Sequence, residues 1–188
     1  MTFQYQLDTA RDRADLEQIV ALQRDNLLAS LSADEARTQG FLSVRHDVDT
    51  LERMNGLAPS LVVRSGSRVV AYALTMSPES RTLCPVLEPM FQRVETLTLE
   101  GRPLTDHRYY VMGQICIDKA HRGRGLFEQL YTKHRELYAP RFDLLLTTMA
   151  TRNMRSMRAH ERLGLKVVSL FEDQQEEWAI VLWDWRGT

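Results

Sequence analysis

The stretch QICIDKAHRGRGLFEQLY, residues 114–131, decides how the rest of the chain is read. Alternating apolar residues stop at Asp118, two glycines separated by an arginine follow, and a helical pattern begins at once. A strand that ends in glycines and feeds a helix leaves several backbone N–H groups at the positive end of that helix. Such a place binds anions, most often a diphosphate. Gly123 and Gly125 let the backbone curl and approach phosphate oxygens where a Cβ would collide. Arg122 and Arg124 add positive charge beside them. By itself R-G-x-G is equally at home in an ordinary surface turn. Two other phosphate loops are excluded, because the chain has no GxxxxGK[ST] and the two glycines do not make GxGxxG.

The surroundings fit the mechanism. RYYVMGQICID (108–118) reads as a long strand with Gly113 marking a bulge or a close backbone approach. After RGRG, the residues Leu126, Leu130, Tyr131, Leu137 and Tyr138 make a helical stripe that Pro140 ends. FDLLLTTM (142–149) is a continuous apolar strand of the kind buried on both faces. A helix from Asn153 to about Leu163 follows and stops at Gly164, a C-terminal αL position. LKVVSLF and EEWAIVLWDW close the chain as two strands.

The N-terminal half is less regular. FQYQLD (3–8) alternates as a short first strand, and Leu16, Ile19, Val20 and Leu27 give an amphipathic helix over 12–29. Two short helices flank Gly40, the first opened by a Ser32/Glu35 capping box and the second capped by Asp47. SLVVRSGSRVVAYALTM (60–76) is a hairpin turning at Ser65-Gly66-Ser67, and 84–97 reads as helical with Pro85 near its start. The chain has no repeat or linker, so residues 1–188 form one domain. Its class is α/β, a mixed central sheet of about six to seven strands flanked by helices, with a right-handed crossover at its centre.

Composition narrows the function. Hydrophobic residues are 44%, charged residues 26%, and the formal net charge is −1, so no global field draws the protein to nucleic acid or an anionic membrane. Cys84 and Cys116 lie far apart, which argues against a zinc site and a disulfide framework and suits a reducing cytoplasm. The N-terminus has no apolar h-region, and no run approaches the ~18 residues of a membrane helix.

A second segment, NMRSMRAHERLGL (153–165), lies one strand beyond RGRG. Asn153 and His160 are two turns apart on one helix face, with Ser156 and Gly164 near it. ICIDKAHRGRGLFEQLY and NMRSMRAHERLGLKVV together resemble the two central motifs of the GNAT superfamily of acyl-CoA-dependent N-acyltransferases. QGFLSVRH (39–46) is further similar to a bacterial subset of that family. The resemblance implies a GNAT fold and acetyl-CoA as donor, with no metal. By it, Ile115, Cys116 and Ile117 offer backbone groups to the pantetheine arm. Arg122, Gly123, Arg124, Gly125 and Leu126 hold the pyrophosphate, and Asn153 and Ser156 touch the arm from the other side. The acceptor is an amine of a small molecule or peptide, walled by the first helices and so placed near Phe41, Arg45 and His46.

Two positions depart from the family pattern. Ala120 stands where Gln or Arg is common, and His160 stands where a tyrosine often sits. Acyl transfer to an amine needs a neutral nucleophile, a donor to the carbonyl oxygen and a proton for the leaving thiolate. His160 is the candidate general acid or hydrogen-bond partner of the sulfur; the bland alternative is packing between helix and sheet. No side chain is an obvious base: Asp118 suits a turn cap, and His46 and His107 are the remaining histidine candidates. Cys116 invites a nucleophile reading, but an apolar strand favours an inert thiol. The face Arg152, Arg155, Arg158 and Arg162 is either solvated or turned to a phosphate. WAIVLWDW either covers the sheet's own core or pairs with a second copy in a homodimer. The competing functions are a non-catalytic acyl-CoA-binding regulatory domain and an RGRG-based RNA-binding module.

Overall fold

The computed structural model describes residues 4–186. Its elements run β1 (Tyr5–Thr9), α1 (Arg13–Arg24), α2 (Ala33–Gln39), α3 (Val48–Leu57), β2 (Leu61–Ser65) and β3 (Arg68–Met76). Then come α4 (Glu88–Glu95), β4 (Thr98–Leu99), β5 (Arg102–Pro103), β6 (Tyr109–Ile117) and α5 (Leu126–Tyr138). The chain ends with β7 (Leu144–Ala150), α6 (Met154–Arg162), β8 (Lys166–Asp173) and β9 (Glu176–Asp184). Phe3, the first residue of the expected FQYQLD strand, lies outside the described residues.

Seven strands form one sheet in the order β1-β2-β3-β6-β7-β9-β8. All neighbours are antiparallel except β6 and β7, which the helix α5 joins as a parallel crossover. The sheet therefore carries a core on each face. One packs Leu16, Ile19, Leu51, Met54 and Phe91 against β3 and β6, and the other packs Leu126, Leu130, Tyr131 and Tyr138 against the opposite face. β9 sits between β7 and β8 and is paired on both edges, so WAIVLWDW covers this chain's own core and is not a strand free to pair with another copy.

Local chemistry sets the ends of the elements. Ser32 and Glu35 form the expected capping box, and the Asp47 side chain accepts from the Thr50 amide at 2.7 Å. Residues 84–97 divide where proline removes helical hydrogen bonds: short 3₁₀ turns run through Pro85–Leu87, and α4 begins beside Pro89. The first helix stops at Arg24, short of the expected 29, because Asn26 and Leu28 bond instead to Leu42 in an adjoining loop. The β4–β5 ribbon was not expected; four residues carry no periodicity.

One buried ion pair ties helix to sheet. Arg64 on β2 and Asp15 on α1 are both almost wholly enclosed and hydrogen-bonded to each other. Burial alone would raise the Asp15 carboxyl, but bonds from Arg64 and the Arg11 amide outweigh it and hold it below the usual range. Removing one partner strands a buried charge, which costs about 3–5 kcal/mol, whereas replacing both by apolar groups of similar volume is close to neutral. Arg64→Met should therefore lose that amount in urea denaturation, and Asp15→Leu/Arg64→Met should recover most of it. An Arg64→Met protein as stable as the parent would contradict this role.

Candidate active site

β6 and β7 pair at only three positions, Tyr109–Leu144, Tyr110–Leu145 and Val111–Leu146. Beyond them β6 stays paired to β3 as far as Ile117, and β7 stays paired to β9 as far as Ala150, while the two strands part from each other. The cause lies at Gly113. Leu74 faces Gln114 and Thr75 faces Met112, so Gly113 is the extra residue of a β-bulge, and a bulge bends its strand and increases its twist. It also switches the faces: Tyr110 and Met112 before it, but Ile115 and Ile117 after it, pack on the α5 side of the sheet.

Two clefts open from this gap. The first, of 990 Å³, runs from Gly123 and Gly125 along Ile117, Cys116 and Ile115 to Asn153. The second, of 830 Å³, lies on the other side and is walled by Leu28, Val44, Met90, Phe171 and Trp178. Phe41, Leu42, Ile115, Asn153 and Ser156 line both, so the clefts meet there.

At the outer end of the first cleft the backbone has the expected shape. Gly123 and Gly125 take φ of 70° and 73°, the left-handed region that glycine enters without penalty. Gly125 is the N-cap of α5 and no side chain caps that helix; its first bond is Gln129 N–H to the Gly125 carbonyl at 3.1 Å. A Cβ built on Gly123 would meet no atom within 4 Å, so the space above it is open cleft. The uncapped first turn of α5 is thus presented to the cleft with the polarity that favours an anion.

The charge around the first cleft is one-sided. Its lining carries five arginines, Arg37, Arg122, Arg155, Arg158 and Arg162, against one carboxylate, Glu128. In a chain of net charge −1 this is a local concentration. The three α6 arginines, Arg155, Arg158 and Arg162, line this cleft, whereas Arg152, in the turn before the helix, lines the second cleft, pairs with Glu176 at 2.7 Å and lies over the Phe41 ring.

The two RGRG arginines differ from each other. The Arg122 guanidinium points inward and donates to the Ile117 carbonyl at 3.0 Å, to Gln39 and to Asn26 Oδ1 at 2.8 Å. It is a brace between β6 and the end of α2, and only its backbone remains for the cradle. Arg124 is exposed and does not line the cleft.

Other expected residues are placed as follows. Asn153 caps α6, accepting from the Ser156 amide at 3.4 Å and donating to the Phe41 carbonyl at 3.0 Å. Cys116 is buried, and burial pushes its thiol up to about 12, which leaves no thiolate to act as nucleophile. Asp118 caps the turn at Ala120 and pairs with Arg68, so it is no base.

His160 Nδ1 lies 2.8 Å from the Ser156 carbonyl, and its Nε2 is buried without a partner. Burial lowers it to about 4. With its Nδ1–H given to that carbonyl, the neutral ring fits the alternative of packing between helix and sheet better than that of a general acid. Phe41 lines both clefts as expected of an acceptor wall, but His46 and His107 line neither. His46 is held in the core by Gln23, whose Oε1 accepts from the His46 amide at 2.7 Å. Gln23 also donates to Gln114, and Gln114 in turn donates to the Val44 carbonyl at 2.8 Å.

Several contributors were not expected. Gly40, at φ 72°, takes a backbone conformation that favours glycine, and a Cβ there would also press to 3.0 Å from Asn153 Oδ1. His121 lines the first cleft, hydrogen-bonded to Tyr5. Phe171 and Trp178, paired across β8 and β9, reach the second cleft from the far end of the chain.

No protein-family model matches the chain, and no curated protein matches it. Solved structures do. An N-acetyltransferase from Staphylococcus aureus Mu50 is 16% identical with a TM-score of 0.65, covering 97% of this chain and 99% of its own. The ribosomal-protein-S18-alanine N-acetyltransferase from Escherichia coli is 12% identical with a TM-score of 0.63, covering 96% and 94%. Arabidopsis thaliana NAA60 in complex with acetyl-CoA is 11% identical with a TM-score of 0.65, covering 96% and 99%. The fold is that of the GNAT acetyltransferases, a mixed single-domain sheet with its central parallel strands splayed. Among the described residues no helix is long and apolar enough to cross a membrane, and no three metal-ligating side chains converge.

His46, His134 and His160 are all buried, and burial lowers each from 6.5 to about 4. Below pH 6.5 the unfolded chain takes up protons that the folded chain refuses, so stability falls as pH drops from 6.5 towards 4. Urea denaturation at pH 5 against pH 7 should show a loss on the order of 1–2 kcal/mol for each of them. An unchanged midpoint would mean that these rings are protonated in the folded protein.

Proposed function

We propose that the protein is an N-acetyltransferase that holds acetyl-CoA in the first cleft and receives a primary amine, of a small molecule or peptide, through the second. The observation that carries this is the meeting of the two clefts beside the unpaired edge of β6. One of them ends in a glycine cradle with a surplus of arginine; the other is largely apolar. A diphosphate fits the uncapped start of α5, and Arg155, Arg158 and Arg162 supply charge for further phosphate. The amide-bearing pantetheine arm fits the edge of Ile115, Cys116 and Ile117 as an added strand would, hydrogen-bonding the backbone that β7 has left.

Transfer by direct attack follows from what the meeting point lacks. Cys116 carries no thiolate, and the Ser156 hydroxyl has no base to activate it, because the nitrogen beside it, His160 Nδ1, gives its hydrogen to the Ser156 carbonyl; an acyl-enzyme route therefore lacks an activated nucleophile. The enzyme's contribution is to hold a neutral amine against the thioester carbonyl away from bulk water. Leu28, Met90, Phe171 and Trp178 suit an acceptor with an apolar body next to its amine. A regulatory domain that only binds acyl-CoA would need no second cleft reaching the sulfur end of the first.

Two measurements test this reading. With CoA at 100 times its Kd, the folded state should gain about 2.7 kcal/mol, a rise in Tm of roughly 5–10 °C. Thiol release from acetyl-CoA should then appear with apolar primary amines and not with acceptor-free controls. A protein that binds CoA but releases thiol with no amine, small or peptidic, would be the regulatory domain instead.

Gly123→Ala separates cradle from scaffold. An alanine at φ 70° costs about 1–2 kcal/mol of stability, and its methyl enters only open cleft. The folded variant should bind CoA roughly tenfold or more weakly by calorimetric titration. Undiminished CoA affinity in Gly123→Ala would remove the cradle from the proposal.

A further inference from the structure

The place where the clefts meet offers very little polar chemistry. Of the five residues that line both, only Asn153 and Ser156 have polar side chains. Asn153 is committed: its oxygen accepts from the Ser156 amide and its nitrogen donates to the Phe41 carbonyl. That leaves the Ser156 hydroxyl. It is half-buried, 3.3 Å from Met149 Sδ and 3.4 Å from His160 Nδ1. His160 Nδ1 is nearer, at 2.8 Å, to the carbonyl of the same serine, so the ring N–H goes there. The hydroxyl hydrogen then has only a thioether, a weak acceptor, and is free for a stronger acceptor in the cleft. Ser156 is also the third residue of α6, within the first turn, where the helix favours negative charge.

We propose that Ser156 is a catalytic residue, its Oγ–H donating to the sulfur of CoA as the thiolate departs, and that His160 is the positioning residue behind it. The proposal rests on the acetyl-CoA reading above. In the step it serves, the amine nitrogen bonds to the acetyl carbon and the carbon–sulfur bond breaks with its electron pair left on sulfur. The serine hydrogen bond holds that charge while the serine keeps its own proton. The proton that completes the thiol is the one the nitrogen loses on becoming an amide, carried by solvent. Thioester and amine are thereby converted to amide and thiol, with nothing oxidised or reduced.

His160 suits a positioning role. Its ring stands edge-on between Phe127 and Tyr131, with centroids 5.1 and 5.4 Å away, and its Nδ1–H fixes the carbonyl of the residue whose hydroxyl is to be aimed. Its buried Nε2 has no partner, and in the tautomer that the carbonyl requires it carries no hydrogen.

The test needs no knowledge of the acceptor. The thiol of CoA bound to the full chain is titrated by the ultraviolet absorbance of its thiolate, in the parent protein, Ser156→Ala, Ser156→Thr and His160→Ala. A hydrogen bond from Ser156 should make the bound thiol about tenfold more acidic, roughly one pKa unit, than in Ser156→Ala, with Ser156→Thr restoring most of the difference. His160→Ala should retain part of the shift. Equal thiol acidity in the parent and Ser156→Ala overturns the proposal, as does a shift lost in His160→Ala and kept in Ser156→Ala, which would make the histidine the donor. A parent protein that fails to bind CoA at all overturns the acetyl-CoA reading itself, and is told apart because no bound thiol is seen in any variant.

Discussion

The structure depends on the refusal of β6 and β7 to stay paired. Three residues into their parallel ladder the bulge at Gly113 turns β6 away, yet each strand remains held by a full antiparallel ladder on its outer side, β3 for one and β9 for the other. The gap therefore cannot close by sliding the strands together without breaking two good ladders. Interior backbone groups left without partners cost about 1–3 kcal/mol each, so such a gap must admit water or a ligand able to hydrogen-bond like a strand. What lies around the gap keeps it open. Arg122 ties the end of α2 to the end of β6, and Asn153 ties the Phe41 loop to the start of α6, so neither flank can fold in.

This division also explains what could be read from the sequence and what could not. Features set by one or two neighbouring residues were legible: the αL glycines of RGRG, the Ser32/Glu35 box, the turn at Gly66 and the stop at Gly164. Gly113 was legible as an irregularity, but its consequence needed the partner strand to show where register was lost. Side-chain direction was not legible. Arg122 looked like a phosphate ligand because its sequence neighbours are glycines; its actual partners, Gln39 and Asn26, are 83 and 96 positions away. His46 looked available beside Phe41, yet Gln23, from α1, draws it into the core. The aromatic wall of the second cleft arrives from β8 and β9, whose residues read only as closing strands.

Histidine shows the same limit most sharply. An isolated imidazole titrates close to neutrality and so invites an acid–base role wherever it falls near a motif. Here three of the five histidines are enclosed deeply enough that burial holds them neutral, and each is used through a hydrogen bond to a fixed partner. His134 faces Tyr110, His46 faces Gln23, and His160 faces the Ser156 carbonyl. These rings set the positions of their neighbours, and protonating any of them would work against the fold that holds it.

The two clefts divide the labour by charge. Four arginines whose side chains are not committed to the brace, and an uncapped helix, give the first a positive field suited to the proposed polyanion, and long-range attraction of this kind acts before contact and weakens with salt. Around the second, Arg152 is paired with Glu176, Arg24 and Arg45 stand with Asp173, and the walls between them are largely apolar, so the proposed amine would meet a weaker field there and shed water. An amine attacks only when neutral, and an apolar surrounding disfavours its ammonium form. In the proposed transfer the charge that develops falls instead on oxygen and sulfur, at the junction, where helix α6 begins. Under that proposal the site needs no side chain that titrates near neutrality, since it takes charge from the nucleophile and gives the leaving group a hydrogen bond; burial pushes the Cys116 thiol up and the His160 ring down, away from that range.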